Sequence, residues 1–349
     1  MLKWAEIGDL HLNENDSLGR YDKNVGMNSR LNDKIKLLDE VVQEILEEEV
    51  DFVVFLGDIY NSINPSDLLR SLFNSVVRKI LDADVKVIIV PGNHETTGQL
   101  TAFKDDAVLM GKEVGYYVSE EIFQVEVDGQ NIICVPWGWA SRLQMVDEET
   151  KQRSILFGHF VVEGADFGNI KARGNAGEMI SREELEHYKH VALGHIHKKQ
   201  KFYVGSVFRN TFGELGNPVG YHICQINSKE QVECSYRASH DRPMQQFIVR
   251  EENGDNSLEK IGNVMEEGGI VKIKFIGSRE WVRKLNLWEI RKRYAEKLFS
   301  LKLERVVEEI SDAVEIKSNK ILNFSDVISQ LTSDKKLIKY VLSVIEGVK

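Results

Sequence analysis

Phe52-Val53-Val54-Phe55-Leu56-Gly57-Asp58 is an apolar run that stops abruptly at a glycine and a carboxylate. The five apolar residues show no alternation, which predicts a strand buried on both faces. The same pattern recurs along the chain. Residues 85–90 lead into Pro91-Gly92-Asn93-His94, 155–157 into Gly158-His159, and 191–193 into Gly194-His195-Ile196-His197, while residues 2–8 lead into Asp9. Between the first strands, Leu31, Ile35, Leu38, Val42, Ile45 and Leu46 repeat at helical spacing, and Pro65-Ser66-Asp67 opens a second helix through residue 81. Asp9, Asp58, Asn93, His159 and His195 thus each follow an apolar run. In an open α/β sheet, that C-terminal strand edge is where loops converge and ligands bind.

From about residue 120 the pattern becomes strand-rich. Strands are predicted at 123–127 and 131–135 around an Asp128-Gly129 turn, then at 155–157, 191–193, 202–204 and 221–225. The fold class is α/β: two mixed β-sheets packed as a sandwich with flanking helices. Ser239-His240-Asp241-Arg242-Pro243 marks a break, which sets a first domain at 1–240. A strand–helix–strand–helix–strand unit follows (244–249, 257–267, 270–276, 287–297, 301–307), a small α+β capping domain at 241–310. The tail, 311–349, holds two short amphipathic helices at 327–331 and 337–345.

With 349 residues, 42 % of them apolar, the chain is long enough for one large domain and a smaller one. Lys and Arg total 45 against 55 Asp and Glu, a formal charge of −10, so a wholly basic surface is excluded and any grip on nucleic acid is local or ion-mediated. Cys134, Cys224 and Cys234 show no metal-type spacing and leave one over in any disulfide scheme. Cys134, inside Ile132-Ile133-Cys134-Val135, reads as core. A reducing cytoplasm is the simplest setting. Met1-Leu2-Lys3-Trp4-Ala5-Glu6 has no apolar signal core, and no segment approaches the ~20 apolar residues that span a bilayer.

Asp9, His11, Asp58, Asn93, His159, His195 and His197 combine carboxylate and amide oxygens with imidazole nitrogens. Such donors suit manganese, iron or zinc, and a pair of these ions hydrolyses phosphate esters. Asp58 can offer one oxygen to each ion. Asp9, His11 and His197 would complete one site; Asn93, His159 and His195 the other. His94, next to a ligand but differently directed, can protonate a leaving oxygen or steady the phosphate, or serve as a structural histidine. His187 and His190, in a charged helix at 181–189, read as surface residues; His222 and His240 are not assigned as ligands.

The order and spacing of these motifs resemble calcineurin-like metallophosphoesterases. More narrowly, Gly158-His159-Phe160-Val161-Val162-Glu163-Gly164, Tyr203-Val204-Gly205-Ser206-Val207, Gly213-Glu214 and Gly220-Tyr221 resemble the nuclease subunit of SbcCD-type DNA repair complexes, especially the tailed-phage version. The resemblance covers residues 1–240. It implies a manganese-dependent two-metal DNA nuclease, a 3′–5′ exonuclease and single-strand endonuclease that dimerises and partners an SMC-like coiled-coil ATPase. It places the two Mn2+ ions on the same seven residues and the catalytic histidine at His94. Two departures stand out. Asn61 occupies the region where many cellular members carry a second histidine tied to exonuclease action, and Glu95 stands where this family usually has Asp. Protein phosphatases share Gly-Asn-His-Glu, but the Asp-Arg-Gly they carry after the bridging aspartate is absent here.

Lys198, Lys199 and Lys201 directly follow the last ligand and could meet a phosphate backbone, or begin a solvated strand. Arg279, Arg283, Lys284, Arg291, Lys292, Arg293 and Lys297 make the cap locally positive, interleaved with Trp281 and Trp288. Trp288 reads as cap core. The apolar faces of the tail suit docking onto a partner helix pair, or folding back on the cap. Three functions follow: a DNA nuclease subunit; a phosphomonoesterase or nucleotide phosphohydrolase on the same scaffold, with a closed pocket; and an architectural DNA-end-binding subunit, against which the complete donor set argues.

Overall fold

The computed structural model describes residues 1–97, 100–103, 115–118, 121–167 and 179–308. Met1–Val307 form one compact unit. The predicted tail helices lie outside the described residues.

Two sheets build the scaffold. The six-stranded sheet runs in the order Val232–Ala238, Gly220–Ile226, Lys3–Ile7, Phe52–Phe55, Lys86–Ile89, Tyr116–Val118. Its last four strands are mutually parallel, and the first two join antiparallel. The four-stranded sheet runs His190–Gly194, Ser154–His159, Gln130–Val135, Phe123–Val127, with the first three parallel. Strand alternation sorts side chains between layers. Trp4, Phe52, Val54 and Ile88 from the first sheet meet Ile132, Cys134, Ile155, Phe157 and Ala192 from the second in a buried inter-sheet core. Ala5, Ile7, Val53, Phe55, Val87 and Ile89 face the other way, onto Leu31, Leu38, Val42, Phe73, Val77 and Ile80 of the helices Ser29–Glu47 and Asp67–Asp82. The predicted sandwich with flanking helices is the observed fold.

Both helices start where local chemistry supplies an acceptor. The Asn28 side chain accepts from the Arg30 N–H and Ser66 from the Leu69 N–H, each satisfying a helix-end donor. Lys34 lies on the buried stripe of the first helix, where its ammonium donates to Asn210 at 2.7 Å and to the His11 carbonyl at 3.1 Å, and pairs with Asp16 at 3.0 Å. A residue that patterning would class as surface thus braces the loop after the first strand.

The segment after the break forms its own cluster: Val249, Leu258, Ile261, Val271, Ile273, Phe275, Ile290 and Tyr294 are buried together. Met244–Arg250, Ile270–Gly277 and Ser300–Val307 form a parallel three-stranded sheet. Buried Arg30 pairs with Asp33 and with Asp241, and Arg242 reaches Asp33 at 2.6 Å, so the break at Ser239–Pro243 is tied to the first helix.

Several expectations need correction. Residues 202–204 are not a strand: Tyr203 alone forms isolated bridges, to Leu193 and Gln200, and the chain turns at Phe202 with a positive φ of 72°. The helix expected at 181–189 is Arg182–Leu185 alone. Trp288 is 68 % exposed, with the Lys292 ammonium 5.2 Å from its ring; Ile290 and Tyr294 take the core positions of that helix instead. His190 is not a surface residue: its ring is inserted against fully buried Glu6. Cys224 and Cys234 form a disulfide. Their sequence separation hides what the hairpin register makes plain, because the two cysteines stand directly opposite on neighbouring strands. Cys134 is buried, as expected.

Candidate metal centre

All seven expected donors converge at the C-terminal edges of the parallel strands. Asp9 and His11 follow Lys3–Ile7, Asp58 follows Phe52–Phe55, and Asn93 follows Lys86–Ile89; His159 ends Ser154–His159, and His195 and His197 follow His190–Gly194. The backbone turns sharply to deliver them. Asp9, His11, Asp58 and His195 all have positive φ, at 47°, 47°, 50° and 89°. Non-glycine residues in that region cost roughly 1–3 kcal/mol each and persist where surrounding structure over-determines them. Gly57 also has a positive φ, 86°, and a Cβ there would strike the His159 ring. At Gly194 a Cβ would strike the Leu56 carbonyl, so only glycine lets the two sheets approach at the site.

The donors sort into two groups around Asp58. Asp9, His11 and His197 place ligand atoms within 4.8 Å of one another, and Asp58, His159 and His195 do the same. Asp58 Oδ2 lies 3.6 Å from His11 Nε2 and 3.4 Å from His159 Nε2, between the groups. Asn93 Oδ1 lies 3.2 Å from His159 Nε2 and 2.9 Å from His195 Nδ1, completing the second. His11 Nε2 and His197 Nε2 face each other at 2.9 Å, a disposition suited to a shared cation. Asp9 Oδ1 accepts from the His195 N–H, while Oδ2 is buried with no hydrogen-bond partner among the described residues. Two carboxylates, an amide and four imidazoles, with an orphaned buried carboxylate oxygen among them, fit a pair of divalent ions.

Burial and mutual charge shift the titration of these donors in both directions. Burial, opposed by His197 and His159 and aided by Asp58, pushes the Asp9 carboxyl up to about 6. Burial and neighbouring His197 depress His11 to about 3, and burial with His159 depresses His195 to about 4. Burial disfavours the charged form of His159, yet Asp58 outweighs it and raises the imidazole to about 9. Asp58 is itself buried, but His159 and His11 hold it well below the ordinary carboxylate range. Cations require neutral imidazoles beside an ionised aspartate; His11, His195 and Asp58 are already held in those states, whereas His159 would give up its proton on loading.

His94 is exposed at the lip. Its backbone N–H donates to Asp58 Oδ1 at 3.0 Å, and its ring lies edge-on to His11 with centroids 5.0 Å apart. Sequence reasoning assigned no role to the residues that hold these imidazoles. Glu214 accepts from His197 Nδ1 at 3.0 Å, Asn61 Oδ1 lies 2.5 Å from His11 Nδ1, and the Leu56 carbonyl lies 2.7 Å from His159 Nδ1. Such partners fix tautomer and ring orientation. Glu95 is fully buried, its two oxygens accepting from the Tyr60 and Gly92 N–H groups. Burial and Asp58 push its carboxyl up to about 8. It is a strut joining two ligand loops. Trp137 follows Gln130–Val135, the remaining parallel strand of the four-stranded sheet, and its ring lies 4.9 Å from that of His195. Position after an apolar run was the available signal for Trp137, since it obeys the rule that found the ligands.

The basic residues near the site are engaged with the protein. Lys198 pairs with Asp166 at 2.7 Å, Lys199 lies over the Tyr236 ring at 4.7 Å, and Lys201 pairs with Glu186. In the cap, Arg283, Lys284 and Arg291 are exposed, Lys284 pairing with Glu280 at 2.6 Å. They do not join the metal cluster. His187 is exposed and paired with Glu148, and His240 is exposed. A groove of about 340 Å³ opens beside the donors, lined by Phe167, His195, His197, Lys198, Thr211 and Asn217 among others. No helix among the described residues is long and apolar enough to cross a membrane.

A crystal structure of a dimetal phosphatase from Danio rerio aligns with a TM-score of 0.39 and 12 % identity, over 68 % of this chain and 96 % of that one. The calcineurin-like phosphoesterase family model matches residues 2–199, the span holding all seven donors and His94. With that match, the chain belongs to the calcineurin-like phosphoesterases, which are metal-dependent phosphoester hydrolases.

Proposed function

We propose that this protein is a two-metal phosphodiesterase that cuts DNA, working with manganese. Asp9, His11 and His197 would hold one ion and Asn93, His159 and His195 the other, with Asp58 able to serve both. The observation that carries this reading is the sorting of the donors into two groups with Asp58 Oδ2 between them. When bound, the ion pair polarises the phosphoryl oxygens and supplies a nucleophilic water at neutral pH. Glu214, Asn61 and the Leu56 carbonyl orient the imidazoles, so the donors need little reorganisation on loading. His94, anchored through its N–H to Asp58 and exposed at the lip, delivers a proton to the departing oxygen. Phe167 and Trp137, flanking His195, offer aromatic faces to a base beside the scissile phosphate.

Exposed Trp288 with Lys292, and exposed Arg283 and Arg291, support a nucleic-acid contact through the cap. The same reading includes a homodimer and an SMC-like coiled-coil ATPase partner that acts on DNA ends. Manganese-dependent cleavage of labelled single- and double-stranded DNA, beside a generic phosphomonoester, tests it in wild type and His94→Ser. DNA cleavage should fall ~10²–10⁴-fold in the variant, the usual span for a general acid. Monoester turnover with intact DNA would sink the nuclease reading and promote the phosphomonoesterase.

A further inference from the structure

A second group of metal-ligand side chains lies away from the strand ends, on the seam between the two sheets. Glu6 is fully buried on the face of Lys3–Ile7 that also carries Trp4. Register places Glu6 opposite His222 and Trp4 opposite Cys224, and Cys224 opposite Cys234. His190 reaches the same point from the other sheet, as the first residue of His190–Gly194. Its Nε2 lies 2.6 Å from Glu6 Oε1 and 3.9 Å from Cys234 Sγ. Glu6 Oε1 also accepts from Trp4 Nε1 at 2.9 Å, and Oε2 lies 3.1 Å from His222 Nδ1. One ligand atom from each of Glu6, His190, Cys224 and Cys234 lies within 4.8 Å of the others.

We propose that, with its sulfurs reduced, this group binds one thiophilic divalent cation through Glu6, His190, Cys224 and Cys234, and that the Cys224–Cys234 disulfide is the form that cannot bind. Two thiolates, an imidazole and a carboxylate make a four-donor set of the type zinc takes in tetrahedral sites. His222 and Trp4 steady the carboxylate, as outer partners of metal ligands commonly do. The disulfide alone gives a weaker account of the two cysteines. It closes a separation of only 10 residues between strands already joined by a hydrogen-bonded ladder, where chain-entropy gain is smallest. A cation would instead join the two sheets, at strands that run on directly to Asp9 and His195. Cys234 is exposed on an edge strand, so a small thiol can reach it.

The chemistry closes. Two equivalents of a monothiol supply two electrons and two protons: the Cys224–Cys234 bond breaks, both cysteines become thiols, and the reductant leaves as its own disulfide. Cation binding then releases the two thiol protons to solvent. The site is independent of the phosphodiesterase reading, and its test does not use activity. Cobalt(II) titrated into the full-length protein should give a thiolate-to-cobalt charge-transfer band only after reduction, saturating at one equivalent for that band. The seven strand-end donors contain no sulfur and cannot produce it. Reoxidation, Cys224→Ser and Cys234→Ser should each abolish the band, His190→Ala should weaken cobalt binding at least tenfold, and Cys134→Ala should leave the band intact. Absence of the band in reduced wild type, folded by circular dichroism, overturns the proposal without any variant. A band that survives both serine substitutions, or ignores His190→Ala, overturns it as well.

Discussion

Two clusters of histidine and carboxylate hang on the same pair of sheets, and they are held in opposite ways. At the strand ends, Asp9, His11, Asp58 and His195 sit on left-handed backbone outside the ladders. Their positions depend on struts: Glu95 between two loops, Lys34 and Ser206 on the carbonyls of His11 and Asp9, Glu214 on His197. On the seam, Glu6, His190, His222, Cys224 and Cys234 are ladder residues whose places follow from register. Loops let donors be aimed individually, at the cost of backbone strain. Register places side chains cheaply, but cannot adjust one without the next.

The sharpest test of this contrast removes the shared donor. Asp58→Ala should cut phosphoester hydrolysis ~10⁴-fold or more, since several kcal/mol of metal-borne stabilisation is lost at about 1.36 kcal/mol per tenfold. The seam should be untouched, with the Cys224–Cys234 thiol titration unchanged. An active Asp58→Ala enzyme would place the chemistry elsewhere. Next comes the strut. In Glu95→Gln one oxygen acceptor becomes an N–H donor facing a backbone N–H, so unfolding free energy should drop by about 2–3 kcal/mol. A variant as stable as wild type in urea would show that the loops hold themselves.

Glu214→Gln acts only on a ligand's orientation. It should weaken binding at the first ion site ~10–100-fold with little change in stability, measured by calorimetric manganese titration. Unchanged affinity would strip Glu214 of its positioning role.

The smallest effect concerns the seam. Burial opposes the Glu6 charge, but His190 and His222 outweigh it, so its folded pKa lies below the ordinary value of 4.5. A depressed carboxylate contributes stability that is present above its unfolded pKa and is lost as pH falls through the folded one. Glu6→Gln should therefore cost about 1.5 kcal/mol at pH 7, and the gap to wild type should close as pH falls below 4.5. A gap that stays constant under acid, in thermal melts across that range, would show that charge plays no part.

The strand-end cluster was legible because Asp9, Asp58, Asn93, His159 and His195 each interrupt an apolar run, and chain direction then puts them at the C-terminal edges of parallel strands in the two sheets. Asp9, Asp58, Asn93, His159 and the His195/His197 pair needed no tertiary information to be grouped, and neither did the sandwich that carries them. Their supports carried no such mark. Glu95 was visible only as a departure from a motif, Lys34 as a charge on an apolar stripe, and Glu214 as part of a downstream motif. Whether a charged side chain is a strut or is solvated depends on which backbone N–H or carbonyl arrives beside it from a distant segment, and local sequence does not encode that arrival. Trp288 and His190 failed in opposite directions for the same reason. Helical register allowed Trp288 inside, but Ile290 and Tyr294 filled the cap core; a charged neighbourhood placed His190 outside, but sheet packing brought it onto Glu6. Sequence by itself determined most of the elements, their order and the polar residues that end the apolar runs, because periodicity and chain direction are local properties. Only the tertiary structure decided the partners, the pairing of Cys224 with Cys234 and the seam cluster, because strand register and the stacking of two sheets bring together residues that the chain keeps far apart.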